Sequence, residues 1–302
     1  MESCVSEANM NKNFFATLER GYTPINDLLW KTRGTVSLVG AGPSLETTYK
    51  ELTGDVCAIN SALAFLIDHG IVPRYAMIWD ADPVCEQFAV PHPDVTYLIA
   101  SRCHPAVFER LRGCRVIVWH AAGDHNIMEL MNRPDVIAKQ KVREPLINGG
   151  SAGITRGIYL VNALGYNEIH IFGGDSCYSG DATHVRGSLV PEKDIMVSIG
   201  NDPPLWFRTT PEWCGQIEEY RAIYTVFTAY GGNTLHQHGH GMMQTMHELL
   251  EEKRQRLGRD GFLADMMRQN EDAKKLAGLA DAITQDERER HRKNLQPLEA
   301  GA

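Results

Sequence analysis

The chain has 302 residues, 43% of them apolar, and a formal net charge of −8. Such a length and apolar share allow one sizeable α/β core with appendages and exclude a disordered chain. The acidic balance and the lack of a basic stripe exclude nucleic acid as the expected partner, and no apolar run approaches the roughly 20 residues that span a bilayer.

Residues 1–33 read as a helical segment, with Phe14, Phe15, Leu18, Ile25, Leu28, Leu29 and Trp30 as its apolar face. The first residues are polar and acidic, unlike a secretory leader. Seven cysteines occur without a C-x-x-C pair, which fits reduced thiols and a cytoplasmic setting. From 34 to 245 strands and helices alternate. Strands are expected at 35–39, 56–59, 75–79, 96–100, 115–119, 168–172 and 233–237, and helices at 44–52, 61–69, 104–112, 125–132, 151–164 and 216–230. The strands are short and apolar on both faces, as in a buried parallel sheet. The fold class is therefore α/β: a doubly wound, mostly parallel Rossmann-like sheet with flanking N- and C-terminal helices. Residues 176–213 read as one long polar loop of the lid or binding type. Residues 246–302 form a charged helical extension. Either terminal segment offers a surface for homo-oligomer formation.

Ligands of such sheets lie beyond the carboxyl ends of the strands, and those ends carry polar residues. Strand 35–39 runs into Gly40, Gly42 and Ser44, and strand 56–59 into Asn60 and Ser61. Strand 75–79 runs into Asp80 and Asp82, and 96–100 into Ser101. Strand 115–119 is followed by His120, Asp124 and His125, and 168–172 by Gly173, Gly174 and Asp175. A second glycine-rich turn, Asn148-Gly149-Gly150-Ser151-Ala152-Gly153, opens an apolar helix. Glycines at such turns let backbone N–H groups approach an anion, and a helix N-terminus adds partial positive charge. Gly40, Gly42, Ser44, Asn60, Ser61, Gly149, Gly150 and Ser151 are thus expected to bind a nucleotide. The first turn lacks the third glycine of G-x-G-x-x-G and the lysine of a P-loop. Asp80 and Asp82 are hard oxygen donors suited to Mg²⁺ shared with substrate phosphates. The plain alternative makes Asp82, before Pro83, a turn or cap residue. His184 and Asp175 are the expected catalytic residues, His184 as a general base or acid. His236, His238 and His240 alternate and would share one face of an extended strand, offering a transition metal three ligands without a fourth. Trp206 and Trp213 are read as anchors of the core, with stacking on a flat ring as the alternative.

Several stretches carry a resemblance in a fixed order: Val36-Ser-Leu-Val-Gly-Ala-Gly-Pro-Ser-Leu45, Ala58-Ile-Asn-Ser-Ala62 and Gly70-Ile-Val-Pro-Arg-Tyr-Ala-Met-Ile-Trp-Asp80. Asn148-Gly-Gly-Ser-Ala152, Ala163-Leu-Gly-Tyr166, Ile169-His-Ile-Phe-Gly-Gly-Asp175 and Thr183-His184 follow. Together, over roughly 34–240, the chain resembles the MptE-like family of 6-hydroxymethylpterin diphosphokinases, which also holds the bacterial motility accessory factors associated with flagellin glycosylation. The Gly-x-Gly-Pro-Ser-Leu turn is also similar to that of bacterial sialyltransferases that use CMP-sugars. The first resemblance implies Mg²⁺ and ATP phosphates near Asp80, Asp82 and Asp175, with diphosphate passed to a hydroxymethyl acceptor. The second implies CMP contacts at Gly42, Ser44 and Asn60, with His184 as base and a glycan or other hydroxyl as acceptor. A non-catalytic nucleotide-binding protein is the third reading.

Overall fold

The computed structural model describes residues 5–123, 126–140, 142–185, 194–200, 203–230 and 232–294. The chain divides into two compact units, Met1–Leu250 and Glu251–Ala302.

In the first unit, helix α1 (Glu7–Arg20) leads into the two-residue strand β1 (Thr23–Pro24). Next come β2 (Thr35–Val39), α2 (Leu45–Thr48), β3 (Asp55–Ile59), α3 (Ala62–Asp68), β4 (Tyr75–Ile78), β5 (Thr96–Ala100), α4 (Pro105–Arg110) and β6 (Arg115–Ala121). They are followed by α5 (Ile127–Met131), α6 (Pro134–Ile137), β7 (Leu146–Ile147), α7 (Gly153–Leu164) and β8 (Glu168–Phe172). A hairpin, β9 (Ile195–Ile199) and β10 (Leu205–Thr209), precedes α8 (Pro211–Tyr224) and β11 (Thr234–Gln237). Helix α9 (Met242–Asn294) runs into the second unit and departs from helical geometry at Gly258, where φ is 68°.

The sheet order is β1-β6-β5-β4-β3-β2-β8-β11, with β7 added beside β6, and the pairings along it are parallel. The inner strands are buried on both faces, β5 at all five residues, which is why they read as unbroken apolar runs. Chain order moves outward from β2 to β6 and then returns to place β8 on the other flank of β2. That reversal is a topological switch point, where neighbouring turns diverge and leave a crevice. Helix α7 covers the sheet there. A Cβ at Gly157 would lie 2.9 Å from Leu38 and 3.1 Å from Ile59, so glycine lets helix and sheet close up.

The α/β reading holds. Within 176–213, expected as one long loop, the described residues include the antiparallel β9–β10 hairpin. Its Arg208 pairs with Asp181 at 2.8 Å and with Asp194. At the N-terminus Phe14 and Leu18 pack with Ile127, Leu130, Met131 and Val136. Trp30 departs from the expected apolar face: it is 69% exposed, and its backbone N–H donates to Ala163 O at 2.9 Å. Among the described residues no helix is long and apolar enough to cross a membrane.

Candidate functional site

A cavity of about 640 Å³ opens at the switch point. Gly40, Gly42, Asn60, Ser61, Asp80, Asp175 and His184 all line it, so residues spread over 145 positions of sequence meet on one rim. Each is delivered by the end of an element: β2, β3, β4, β8, or the segment before the hairpin. Two of the three non-glycine residues with positive φ among those described, Asn60 (48°) and Ser176 (53°), are in its wall. Backbone held in that region costs energy and concentrates at functional sites. Asn60 Oδ1 is also buried without a hydrogen-bond partner, an acceptor left over at the cavity wall.

The glycines act differently from the expectation. Gly40 N–H donates to Phe172 O at 2.8 Å and Gly42 N–H to Gly173 O at 2.9 Å. Both donors are occupied by the neighbouring turn, and glycine is needed because a Cβ at Gly40 would stand 2.6 Å from Gly173 O. Ser44 is buried behind the wall. Its N–H donates to Asp175 Oδ2 at 2.7 Å and its hydroxyl to Asp175 Oδ1, so serine and aspartate lock the two turns together. Burial raises the Asp175 carboxyl above its usual range, although the Ser44 hydrogen bonds oppose the shift.

The second glycine turn is divided. Ala152, Gly153 and Ile154 line the cavity, so the start of α7 faces it with its positive dipole end. Gly149, Gly150 and Ser151 do not. Gly149 gives way to Arg156, and Gly150 makes room for Thr155 and Glu219. Glu219, from α8, accepts from Ser151 N–H at 2.9 Å and from the Thr155 hydroxyl at 2.9 Å. An internal carboxylate therefore sits where sequence reasoning placed a phosphate.

The two strand-end aspartates also part company. Asp80 lines the cavity, and its Oδ1 accepts from Asp82 N–H at 3.0 Å. Asp82 lies outside the lining and caps the short helix Pro83–Phe88, accepting from Val84 N–H at 2.8 Å. That is the plain turn reading. Asp80, Asp82 and Asp175 form no three-ligand cluster. The alternating histidines divide too: His236 and His238 converge with His170 from β8, and His240 is not in that group.

His184 is in the wall, its Nδ1 3.0 Å from Thr183 Oγ1. Burial lowers its pKa below the usual imidazole value, against a smaller opposing pull from Asp175. The next residue, Val185, donates its N–H to Ala41 O at 2.9 Å and ties this segment to the β2 turn. Trp213 lines the cavity, 5.4 Å from the Tyr178 ring, whereas Trp206 is 63% exposed and anchors no core. Ser101 and His120 do not reach the site. They are buried and bonded at 2.8 Å, and His120 Nε2 meets Glu144 at 2.7 Å. The Tyr22 hydroxyl donates to Glu144 at 2.9 Å and completes a structural network. Asp124 and His125 lie outside the described residues. Sequence reasoning missed Gln216, which accepts from the Ser176 hydroxyl at 3.2 Å, because a mid-helix position carries no local signal, and Phe88, which closes the short helix Pro83–Phe88 rather than following a strand.

The family model for 6-hydroxymethylpterin diphosphokinase MptE-like proteins matches residues 9–181. The chain belongs to the MptE-like family. A solved structure, the MAf glycosyltransferase from Magnetospirillum magneticum AMB-1, has a similar fold at TM-score 0.52 and 13% sequence identity. The likeness covers 81% of this chain and 41% of that one, so the chain spans well under half of that protein. A comparison with curated proteins finds no match. Transferase is the class that the MptE-like description and the MAf protein's name have in common.

Proposed function

We propose that the chain is a nucleotide-dependent transferase that moves a diphosphate from ATP to a hydroxymethyl acceptor, with the switch-point cavity as its site. The observation that carries this reading is the charge of the walls. Asp80 and Asp175 line the cavity, and no Lys or Arg does so among the described residues. A polyphosphate enters such walls only with divalent cations, and Mg²⁺ typically takes one or two carboxylates plus substrate phosphates. Asp80 suits that role, facing the cavity with one oxygen engaged by Asp82 N–H. Bound Mg²⁺ would neutralise the phosphate oxygens around the transferred group.

The chain's own residues supply position and a proton acceptor. The start of α7 at Gly153 and Ile154 faces the phosphates, and Asn60 and Ser61 offer polar contacts to them or to the ribose. Phe88 and Trp213 give a flat acceptor ring apolar walls. The acceptor oxygen attacks the β-phosphorus, the bond from that phosphorus to the bridging oxygen breaks, and AMP leaves with the electron pair. His184 receives the hydroxyl proton. When Nδ1–H donates to Thr183 Oγ1, the lone pair is on Nε2, and the lowered pKa keeps the imidazole neutral at pH 7.

A second reading is transfer of a nonulosonic sugar from a CMP-sugar to a hydroxyl. Neutral His184 favours it, because that reaction needs a base and less metal. Thermal shift with ATP and with CMP, each with and without Mg²⁺, separates the two. A ligand at 100 times its Kd adds about 2.7 kcal/mol to apparent stability. The first reading expects stabilisation by ATP only with Mg²⁺, and AMP release when a hydroxymethylpterin is supplied. Stabilisation by CMP without metal, and none by Mg-ATP, overturns it in favour of the second.

A further inference from the structure

A second polar constellation lies where β8 meets the edge strand β11, and none of its residues lines the cavity. Register sets His236 beside His170 and Thr234 beside Glu168. Period-two alternation sends Glu168, His170, Phe172 and His236 to one face of the sheet. Glu168 Oε1 stands 3.5 Å from His170 Nε2 and 3.7 Å from His236 Nε2. The three ligand atoms all lie within 4.8 Å of one another. Two nitrogen or oxygen atoms bound at about 2.05 Å to a tetrahedral zinc stand about 3.4 Å apart. The distances from Glu168 to both imidazoles are thus close to those a shared ion would impose. Among the described residues, this is the one trio of His, Cys, Asp or Glu so arranged.

Outer partners orient two of the three. The Thr35 hydroxyl, on β2, donates to Glu168 Oε2 at 2.7 Å and leaves Oε1 to face the imidazoles. His170 Nδ1 is 2.9 Å from His238 Nε2. His238 is itself stacked on Phe172, ring centres 4.1 Å apart, with Glu51 3.8 Å from its Nδ1. When His170 Nδ1–H donates to His238, the lone pair is on Nε2, the nitrogen nearest Glu168. Such a hydrogen bond is how proteins fix the tautomer of a metal-bound imidazole. The Glu168 and His236 side chains are 45% and 41% exposed, so an ion and a water can reach them.

We infer that Glu168, His170 and His236 form a binding site for one divalent transition-metal ion of the zinc class, with water completing the shell. Thr35 and His238 are positioning residues. Two imidazoles and a carboxylate are donors that Zn²⁺ or Co²⁺ accepts well, whereas Mg²⁺ favours oxygen. Because the ligands come from both strands, the ion would staple the edge strand β11 to β8.

The test uses the full chain, stripped with chelator and titrated with Co²⁺ and then Zn²⁺. The expected result is one Co²⁺ per chain with visible d–d absorption and no thiolate charge-transfer band, displaced by Zn²⁺, which also raises Tm. His236→Ala and Glu168→Gln, each checked for folding by circular dichroism, remove the Co²⁺ signal. His238→Ala weakens binding by about 10–100-fold, as loss of an outer partner does. An unchanged signal in folded Glu168→Gln or His236→Ala overturns the assignment. So does a thiolate band, which would put the ion on cysteines, or uptake that never saturates.

Discussion

Glu219 fills the glycine turn before α7, and its removal makes a two-sided test of that claim. In Glu219→Ala, Ser151 N–H loses an acceptor at 2.9 Å and the Thr155 hydroxyl loses one at 2.9 Å. A hydrogen bond to a charged group contributes about 1.5–3 kcal/mol, and loss of a helix cap costs about 0.5–2 kcal/mol. Glu219 is only half-buried, so solvent replaces part of the loss and about 1–2 kcal/mol remains. For a unit of this size that is a fall in Tm of about 2–8 °C. The other side concerns anions. Emptying the turn exposes a glycine nest at a helix N-terminus, a ready site for phosphate or sulfate. Thermal melts over a phosphate series at constant ionic strength should show the variant regaining stability while the native chain stays flat. Equal phosphate response in both proteins would refute the internal-anion account, as would a variant with unchanged Tm.

Three further outcomes are expected. His184→Ala should lower kcat by about 10²–10⁴-fold, the usual share of a general base, with nucleotide affinity by calorimetry unchanged. Because burial holds its pKa below 6.5, the native rate should be level at neutral pH and fall on an acid limb below 6.5 that the variant lacks. Neutral His184 likewise stabilises the fold above that value, and the contribution is lost as pH falls through the folded pKa. Asp80→Asn should abolish Mg²⁺-dependent stabilisation by ATP. Asp82→Asn should leave it intact, because that side chain caps Pro83–Phe88; equal loss in both would contradict the division of roles. Glu144→Ala strands buried His120 and the Tyr22 hydroxyl, and urea unfolding should show a loss of about 1–3 kcal/mol. Nucleotide affinity should not change, since none of the three lines the cavity.

The sheet was legible because its strands are marked twice, by apolar runs and by what ends them. Strands 35–39, 96–100 and 168–172 coincide with the expected ranges. Two-residue strands such as Thr23–Pro24 and Leu146–Ile147 are too short for any periodicity to register. The β9–β10 hairpin was hidden for another reason. Most of its residues are exposed or only partly buried, so no alternating pattern marks a face, and Pro203-Pro204 beside it reads as loop. In the site, Asn60, Ser61 and Asp80 could be picked out because each follows its strand directly. Glu219 could not, since it lies mid-helix and its partner Ser151 is 68 residues away. The Ser44–Asp175 lock spans 131 residues and joins two positions that looked like separate ligands for a substrate.

That lock shows why glycine-rich turns are an ambiguous guide to phosphate sites. A glycine signals that something comes close to the backbone, and sequence alone does not say whether it is a ligand or the chain itself. At Gly40, Gly42 and Gly241 the close neighbours are Gly173 and Asp175; at Gly150 they are Thr155 and Glu219. In each case the chain meets itself, and two of these meetings involve an internal carboxylate. The less ambiguous marks of the site are residues that accept a local cost without an internal return. Asn60 combines positive φ with a buried, unpartnered oxygen, and Asp80 presents a carboxylate to a cavity without a cationic side chain among the described lining residues. The Asn60 arrangement does not stabilise the isolated fold, and Asp80 gains there only the Asp82 N–H. Under the proposed function both would become favourable once a nucleotide and its counterion enter, and that reading assigns substrate recognition to the rim between β3 and β4 more than to the glycine turns.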